Sequence, residues 1–136
     1  MRKLTRIKSF WPGIAWFFIT ATLLLMPSAD LPDSRDWLDK IFFDKWVHAG
    51  FFLLLCLLFM LPLLHKINTK KYRVQLWAGI AICGSAWGYG VELLQKYYIP
   101  SRSYELGDWA ADTIGCILAF LLCVFYLQPG YEKNSL

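Results

Sequence analysis

The fold is decided by residues 46–65, WVHAGFFLLLCLLFMLPLLH, which contain no Asp, Glu, Lys or Arg. Residues 9–29, 74–91 and 113–131 share this lack of charged side chains. Each stretch is close to the roughly 20 residues that a helix needs to cross a bilayer. A segment in lipid must satisfy its own backbone hydrogen bonds, and these stretches lack the two-residue alternation of barrel strands. They therefore predict transmembrane helices.

The composition of the whole chain supports the same fold class. The 136 residues are 57% hydrophobic and 18% charged, and their mean hydropathy is +0.42. Soluble domains carry about 25% charged residues. We therefore predict an all-α polytopic membrane protein, a single domain of residues 1–136 with four transmembrane helices. The predicted spans are residues 10–29, 46–64, 74–95 and 109–127.

Basic residues predict the orientation of these helices. The N-terminal arm and the link between the second and third spans are both basic and contain no acid, so the positive-inside rule places them in the cytoplasm. Their basic residues are Arg2, Lys3, Arg6, Lys8, Lys66, Lys70, Lys71 and Arg73. With four spans, both termini are cytoplasmic, and the other two links face outward. The formal net charge of +4 is assigned to these cytoplasmic anchors, and no nucleic acid is expected as a partner.

Two segments near the N-terminus allow more than one interpretation. The first apolar stretch ends in Pro27-Ser28-Ala29, which resembles the cleavage site of a secretory signal peptide. We expect this stretch to be retained, because it is long enough to span the bilayer. The following link predicts a short amphipathic helix, residues 33–43, with Trp37, Leu38, Ile41 and Phe42 on one side. It is expected either to anchor the chain at the outer membrane surface or to form a lid.

Small and polar residues form stripes at helical spacing on three of the predicted spans. On the third span Gly84, Gly88, Glu92 and Gln95 fall on one face. The second and fourth spans carry comparable stripes, which include His48 and Gly115. Small residues let neighbouring helices approach closely. We therefore expect the three stripes to face each other and to gather their polar ends beneath an outward opening.

The candidate binding residues are those at the outer ends of these spans and in the turn between them. They are Asp44, Lys45, His48, Glu92, Gln95, Arg102, Asp108 and Asp112. Some also have structural explanations, since carboxylates favour helix N-termini and an arginine can anchor to headgroups. Glu92 is harder to explain in this way, because charges on spanning helices are costly and usually paired or exposed to a wet cavity. We expect Glu92 to pair with Arg102.

The order of these residues resembles the VanZ-like family of bacterial membrane proteins. The resemblance covers roughly residues 40–125. It rests on four motifs: Asp44-Lys45-x-x-His48, Glu92-x-x-Gln95, Pro100-Ser101-Arg102-Ser103 and Asp108-x-x-x-Asp112-x-x-Gly115. Many relatives have Asn where this chain has Asp112. The family is named for a factor that gives low-level resistance to teicoplanin. The resemblance implies a protein of the bacterial cytoplasmic membrane, and the topology predicted above places its functional face on the extracytoplasmic side.

Three functions are compatible with the sequence. The preferred one is binding of a polar or charged headgroup, from a membrane lipid, a lipid-linked envelope precursor or a glycopeptide-related ligand. Arg102, Lys45 and His48 would then meet phosphate or carboxylate, and the acidic residues would meet amine or hydroxyl groups.

The second function is an enzyme that uses the same residues as acids and bases, or as a metal site of His48, Glu92, Asp108 and Asp112. Lys45 and Arg102 would oppose a bound cation, and the cysteines show no CxxC spacing. We therefore predict neither a metal nor a cofactor. The third function is a transporter or an assembly subunit, for which Gly84 and Gly88 offer a GxxxG motif for a homo-oligomer.

Overall fold

The computed structural model describes residues 9–27, 43–100 and 102–129. Within these ranges the chain forms helices and contains no strand, which confirms the all-α prediction. The helices are α1, Trp11–Leu24; α2, Phe43–Lys66; α3, Lys70–Tyr98; and α4, Leu106–Leu122. The last helix continues through one wider turn, Cys123–Leu127.

Several predicted features lie outside the described residues. These are the N-terminal basic arm, the C-terminal tail, Ser101 and the amphipathic helix predicted for residues 33–43, apart from Phe43. Phe43 is the first residue of α2.

Two of the helices are long and apolar enough to cross a membrane, Phe43–Lys66 and Leu106–Leu127. The first helix is apolar but only 14 residues long. It ends at Leu24 instead of the predicted residue 29, and Pro27 disfavours a helical backbone at the residue before it. The third helix has 29 residues, but the glycines and polar groups of its stripe make it less apolar. The structure therefore supports two candidate spans among the four that were predicted.

The predicted stripes face each other in the bundle. Helix α4 packs against both α2 and α3, and α1 packs against α2. Gly115 allows the closest approach, because a Cβ atom there would overlap the backbone carbonyl of Ala49. Gly84 lies against the side chain of Cys116 on α4. Gly84, the first glycine of the GxxxG motif, therefore forms a helix contact within the chain.

Indole groups join the helices along the apolar core. Trp77 on α3 is 0% exposed, and its Nε1 donates a hydrogen bond of 2.9 Å to the carbonyl of Met60 on α2. Trp16 on α1 donates in the same way to the carbonyl of Phe51, at 3.1 Å. The bond from Trp77 satisfies a buried N–H group that would otherwise be costly, and the bond from Trp16 satisfies a partly buried one. These contacts fix the helices that carry the polar residues described next.

Candidate functional site

Polar side chains meet at the end of the bundle where α2 begins, α3 ends and α4 begins. We call this group the acidic cluster. It consists of Asp44, Lys45, His48, Glu92, Glu105, Asp108 and Asp112. Six of the eight candidate residues belong to it, and the seventh member, Glu105, is new. Asp44, Lys45 and His48 come from α2, Glu92 from α3, and the remaining members from the N-cap and first turns of α4.

Lys45 joins the carboxylates at the exposed end of the acidic cluster, which we call its mouth and which consists of Asp44, Lys45 and Glu105. Its Nζ lies 2.7 Å from Asp108 Oδ1, 3.0 Å from Asp44 Oδ2 and 3.2 Å from Glu105 Oε2. The side chains of Asp44 and Glu105 are 54% and 52% exposed, whereas that of Asp108 is 10% exposed. One ammonium group therefore connects two solvent-exposed carboxylates to one that points into the bundle.

His48 lies deeper, between two carboxylates of α4. Its Nδ1 is 2.9 Å from Asp112 Oδ1, and since an ionised carboxylate can only accept, Nδ1 donates this hydrogen bond. On the other side of the ring, Nε2 is 3.8 Å from Asp108 Oδ2. Gly88 makes room for Asp112, because a Cβ atom at residue 88 would lie 2.7 Å from Asp112 Oδ2. The imidazole is thus held in one orientation by α4 while α3 closes the third side.

Glu92 is completely buried at the base of the acidic cluster. Its Oε2 accepts a 2.9 Å hydrogen bond from the backbone N–H of Glu105, which ties α3 to the start of α4. Within the described residues its other oxygen, Oε1, has no hydrogen-bond partner, and the same is true of Asp112 Oδ2. Buried polar atoms are normally satisfied. The acidic cluster therefore keeps two accepting oxygens without a donor.

Gln95 and Arg102 lie beside the acidic cluster and bind the end of α1. Gln95 Nε2 donates to the carbonyl of Leu24 at 2.7 Å, and Arg102 Nε donates to the carbonyl of Met26 at 3.3 Å. The predicted pair of Glu92 and Arg102 is therefore wrong within the described residues. Both groups have other partners, because the backbone N–H of Glu105 binds Glu92 Oε2 and the carbonyl of Met26 binds Arg102 Nε.

Negative charge dominates the acidic cluster. It contains five carboxyl groups, one lysine and one histidine. Three of the carboxyl groups, those of Glu92, Asp108 and Asp112, are buried. Buried charges are tolerated when they are paired or bind a metal. Such a group of acids around one imidazole is suited to bind cations, amines or hydroxyl donors.

Sequence reasoning missed Glu105. It stands at the N-cap of α4, three residues before Asp108, and acidic residues are favourable at a helix N-terminus. This position before α4 was the one feature of the sequence that could have indicated Glu105 as a site residue. Its contact with Lys45 depends on the fold of the loop, which has no periodic pattern.

Comparison with known proteins gives a relative in fission yeast. The chain is 29% identical to the Schizosaccharomyces pombe "Uncharacterized protein C11E3.10" over 123 residues, which cover 90% of this chain and 67% of the relative. No protein family model matches the chain. No solved structure matches it either.

Proposed function

We propose that this chain is a VanZ-like membrane protein that crosses the bilayer four times and binds a polar lipid or envelope-precursor headgroup at the mouth of the acidic cluster. Both termini would be cytoplasmic, and the acidic cluster would face the extracytoplasmic side. The VanZ-like resemblance suggests a bacterial cytoplasmic membrane, whereas the relative comes from fission yeast. The proposal therefore concerns the orientation in the membrane and leaves the type of cell open.

The outer surface of the bundle supports a membrane location. Only 39% of the apolar window of α2 and 33% of that of α4 with its extension are buried inside the chain. The core helix of a soluble protein would be mostly buried. Large apolar side chains on all four helices point outward instead, among them Phe18, Trp46, Ile82, Ile114 and Phe125. A large exposed apolar surface marks contact with lipid or with another protein.

The charges at the two ends of the bundle support the orientation. The link between α2 and α3 carries Lys66, Lys70 and Lys71 without an acid. The opposite end carries the acidic cluster. The positive-inside rule then places the cluster outside.

The observation that carries the headgroup proposal is the gradient of exposure across the acidic cluster. Asp44 and Glu105 are exposed, Lys45 is half-buried and Asp108 is buried, and the ammonium group of Lys45 contacts all three carboxylates. Lys45 is already surrounded by three carboxylates. The half-buried Arg102 beside the mouth still has unused donors, because in the described residues Nε is the only atom of its guanidinium group that has a partner. A headgroup with both an amine and a phosphate suits this combination, because carboxylates accept from amines and a guanidinium binds phosphate.

The lipids retained by the purified protein test this proposal directly. We expect native mass spectrometry of the purified protein to show that phosphatidylethanolamine is retained over phosphatidylglycerol, which lacks the amine, and phosphatidylcholine, whose quaternary amine cannot donate. The expected preference is about tenfold, since roughly 1.4 kcal/mol is the low end of a charge-assisted hydrogen bond.

Matched variants assign the preference to the mouth. Exchanging both Asp44→Asn and Glu105→Gln should remove the discrimination between the three lipids, and Arg102→Gln should weaken retention of all of them. Lys96→Gln, at an exposed position near the end of α3, should change neither. Equal retention of the three lipids by the unmodified chain would refute the headgroup proposal.

A further inference from the structure

We propose that the inner part of the acidic cluster binds one divalent transition-metal ion through His48, Glu92 and Asp108. This inner part lies below the mouth to which the headgroup is assigned. The metal proposal does not depend on headgroup binding.

The three side chains have the spacing of a metal site. A ring nitrogen of His48 and one carboxylate oxygen each from Glu92 and Asp108 lie within 4.8 Å of one another. The distance of 3.8 Å between His48 Nε2 and Asp108 Oδ2 is too long for a hydrogen bond. Ligand atoms about 2.0–2.2 Å from one tetrahedral zinc ion are separated by roughly 3.3–3.5 Å. A small inward movement would therefore complete the coordination.

Glu92 gives an independent indication of a missing ligand. Its side chain is 0% exposed, and no donor in the described part of the chain reaches Oε1. A buried acceptor without a donor is destabilising, and more so when it is charged. A divalent cation between Glu92, His48 and Asp108 would satisfy this oxygen.

A second group of carboxylates in the same cluster, which lies at the mouth, differs from the inner group because a cation neutralises it. Oxygens of Asp44, Glu105 and Asp108 also lie close enough together to hold an ion. There, however, the ammonium of Lys45 lies within 3.2 Å of all three carboxylates. In the inner group, Glu92 forms no ion pair with a lysine or arginine among the described residues, and Lys45 contacts the group through Asp108 Oδ1 only. The two groups share Asp108, whose Oδ1 faces Lys45 and whose Oδ2 faces His48.

Asp112 is placed to position the histidine for metal binding. It accepts the hydrogen bond from His48 Nδ1, and metal-binding histidines commonly donate their second ring N–H to a carboxylate. Nε2 is then left to bind the ion. One imidazole and two carboxylates favour Zn²⁺ or Mn²⁺ over Mg²⁺ and Ca²⁺, which prefer oxygen ligands alone. Arg102 does not oppose the ion, because it binds the carbonyl of Met26 outside the cluster.

The test uses the full chain, purified without added lipid, stripped with a chelator and reloaded with Zn²⁺ or Mn²⁺. We expect about one ion per chain by elemental analysis after desalting, as a single site of three protein ligands implies. In the Mn²⁺-loaded unmodified chain, pulsed electron paramagnetic resonance should detect the nuclear coupling of a directly bound imidazole nitrogen. This measurement needs no variant and therefore does not depend on how a variant folds.

Three substitutions complete the test. Glu92→Gln and His48→Ala should each reduce retention of the ion to background, whereas His65→Ala, which removes the other histidine of the chain, should leave it unchanged. Asp112→Asn should weaken binding by about 10–100-fold without abolishing it, as expected for a residue that orients a ligand. Retention well below one ion per chain, or Mn²⁺ bound without nitrogen coupling, would overturn the proposal. Equal loss from His48→Ala and His65→Ala would do so as well.

Discussion

The two ends of the helix bundle both bury charged side chains, but they surround them with different partners. Where α2 meets α3, Arg73 is 1% exposed. Its Nη1 donates to the carbonyls of Ile67 and Leu64, at 2.8 and 3.4 Å. At the opposite end, Glu92 and Asp112 are 0% exposed, and each keeps one oxygen to which no described residue donates.

We use this difference to distinguish a charge that stabilises the fold from the charges to which we assign a ligand. The last carbonyls of a helix lack intrahelical donors, and a basic side chain at that position can supply them. Arg73 does so for the end of α2. Glu92 and Asp112 each bury one oxygen that no donor satisfies among the described residues, and such an oxygen lowers stability. The acidic end is therefore the one to which we assign the proposed ligands.

The largest effect is expected from breaking the contact that holds the acidic end together. Gly115→Val would drive a side chain into the backbone of α2 at Ala49, and overpacking of this kind costs about 3 kcal/mol. Because His48 on α2 and Asp112 on α4 would separate, ion retention should fall together with thermal stability. Gly50→Val is the matched control, since a Cβ atom at Gly50 meets nothing within 4 Å. If both valine variants unfold at the same temperature, α2 and α4 do not pack through Gly115.

The residues at this contact were predictable because they repeat at helical spacing. Four stretches without charge gave the helices, and the stripes containing Gly88, Glu92, Asp112 and Gly115 gave the faces that meet. The sequence could not give the partners of Gln95 and Arg102. Both bind backbone carbonyls at the end of α1, and a backbone acceptor leaves no signature in the side-chain pattern.

The length of the first helix was also beyond the sequence argument. A count of uncharged residues runs on through Ala29, whereas α1 ends at Leu24. Lack of charge indicates where a chain is able to enter lipid, but the end of a helix is set by local backbone preference. Glu105 was missed for a related reason, because it lies at the N-cap between two periodic segments.

A second effect, smaller than the first, is expected at the basic end. Arg73→Met should remove about 2–3 kcal/mol from the free energy of unfolding, because the bonds from a charged donor to the carbonyls of α2 are lost. Ion retention at the other end should not change. Chemical denaturation in detergent with elemental analysis measures both quantities. Lys71→Met removes an exposed charge from the same first turn of α3 and should have little effect on stability.

The same comparison predicts the opposite pattern for Glu92→Gln. This variant should lose the ion but keep the stability of the metal-free chain, since it removes a buried charge with an unsatisfied oxygen. A fall in metal-free stability as large as that of Arg73→Met would mean that both ends are structural. The contrast between the two ends would then be lost.

The smallest effect is expected at Gln95, which lies at the acidic end but serves the fold. Its amide donates to the carbonyl of Leu24 at 2.7 Å, so it joins α3 to the end of α1. Gln95→Met keeps the volume and loses this hydrogen bond, which contributes about 1 kcal/mol. Thermal unfolding should shift accordingly, while retention of the ion and of phosphatidylethanolamine stays unchanged. Gln75→Met, at an exposed position on the same helix, is the matched control and should not shift the transition. If Gln95→Met abolishes ion or lipid retention at unchanged stability, Gln95 belongs to the binding site. A residue would then contribute to binding because it lies near the acidic cluster, although it forms no hydrogen bond or ion pair with the cluster's side chains.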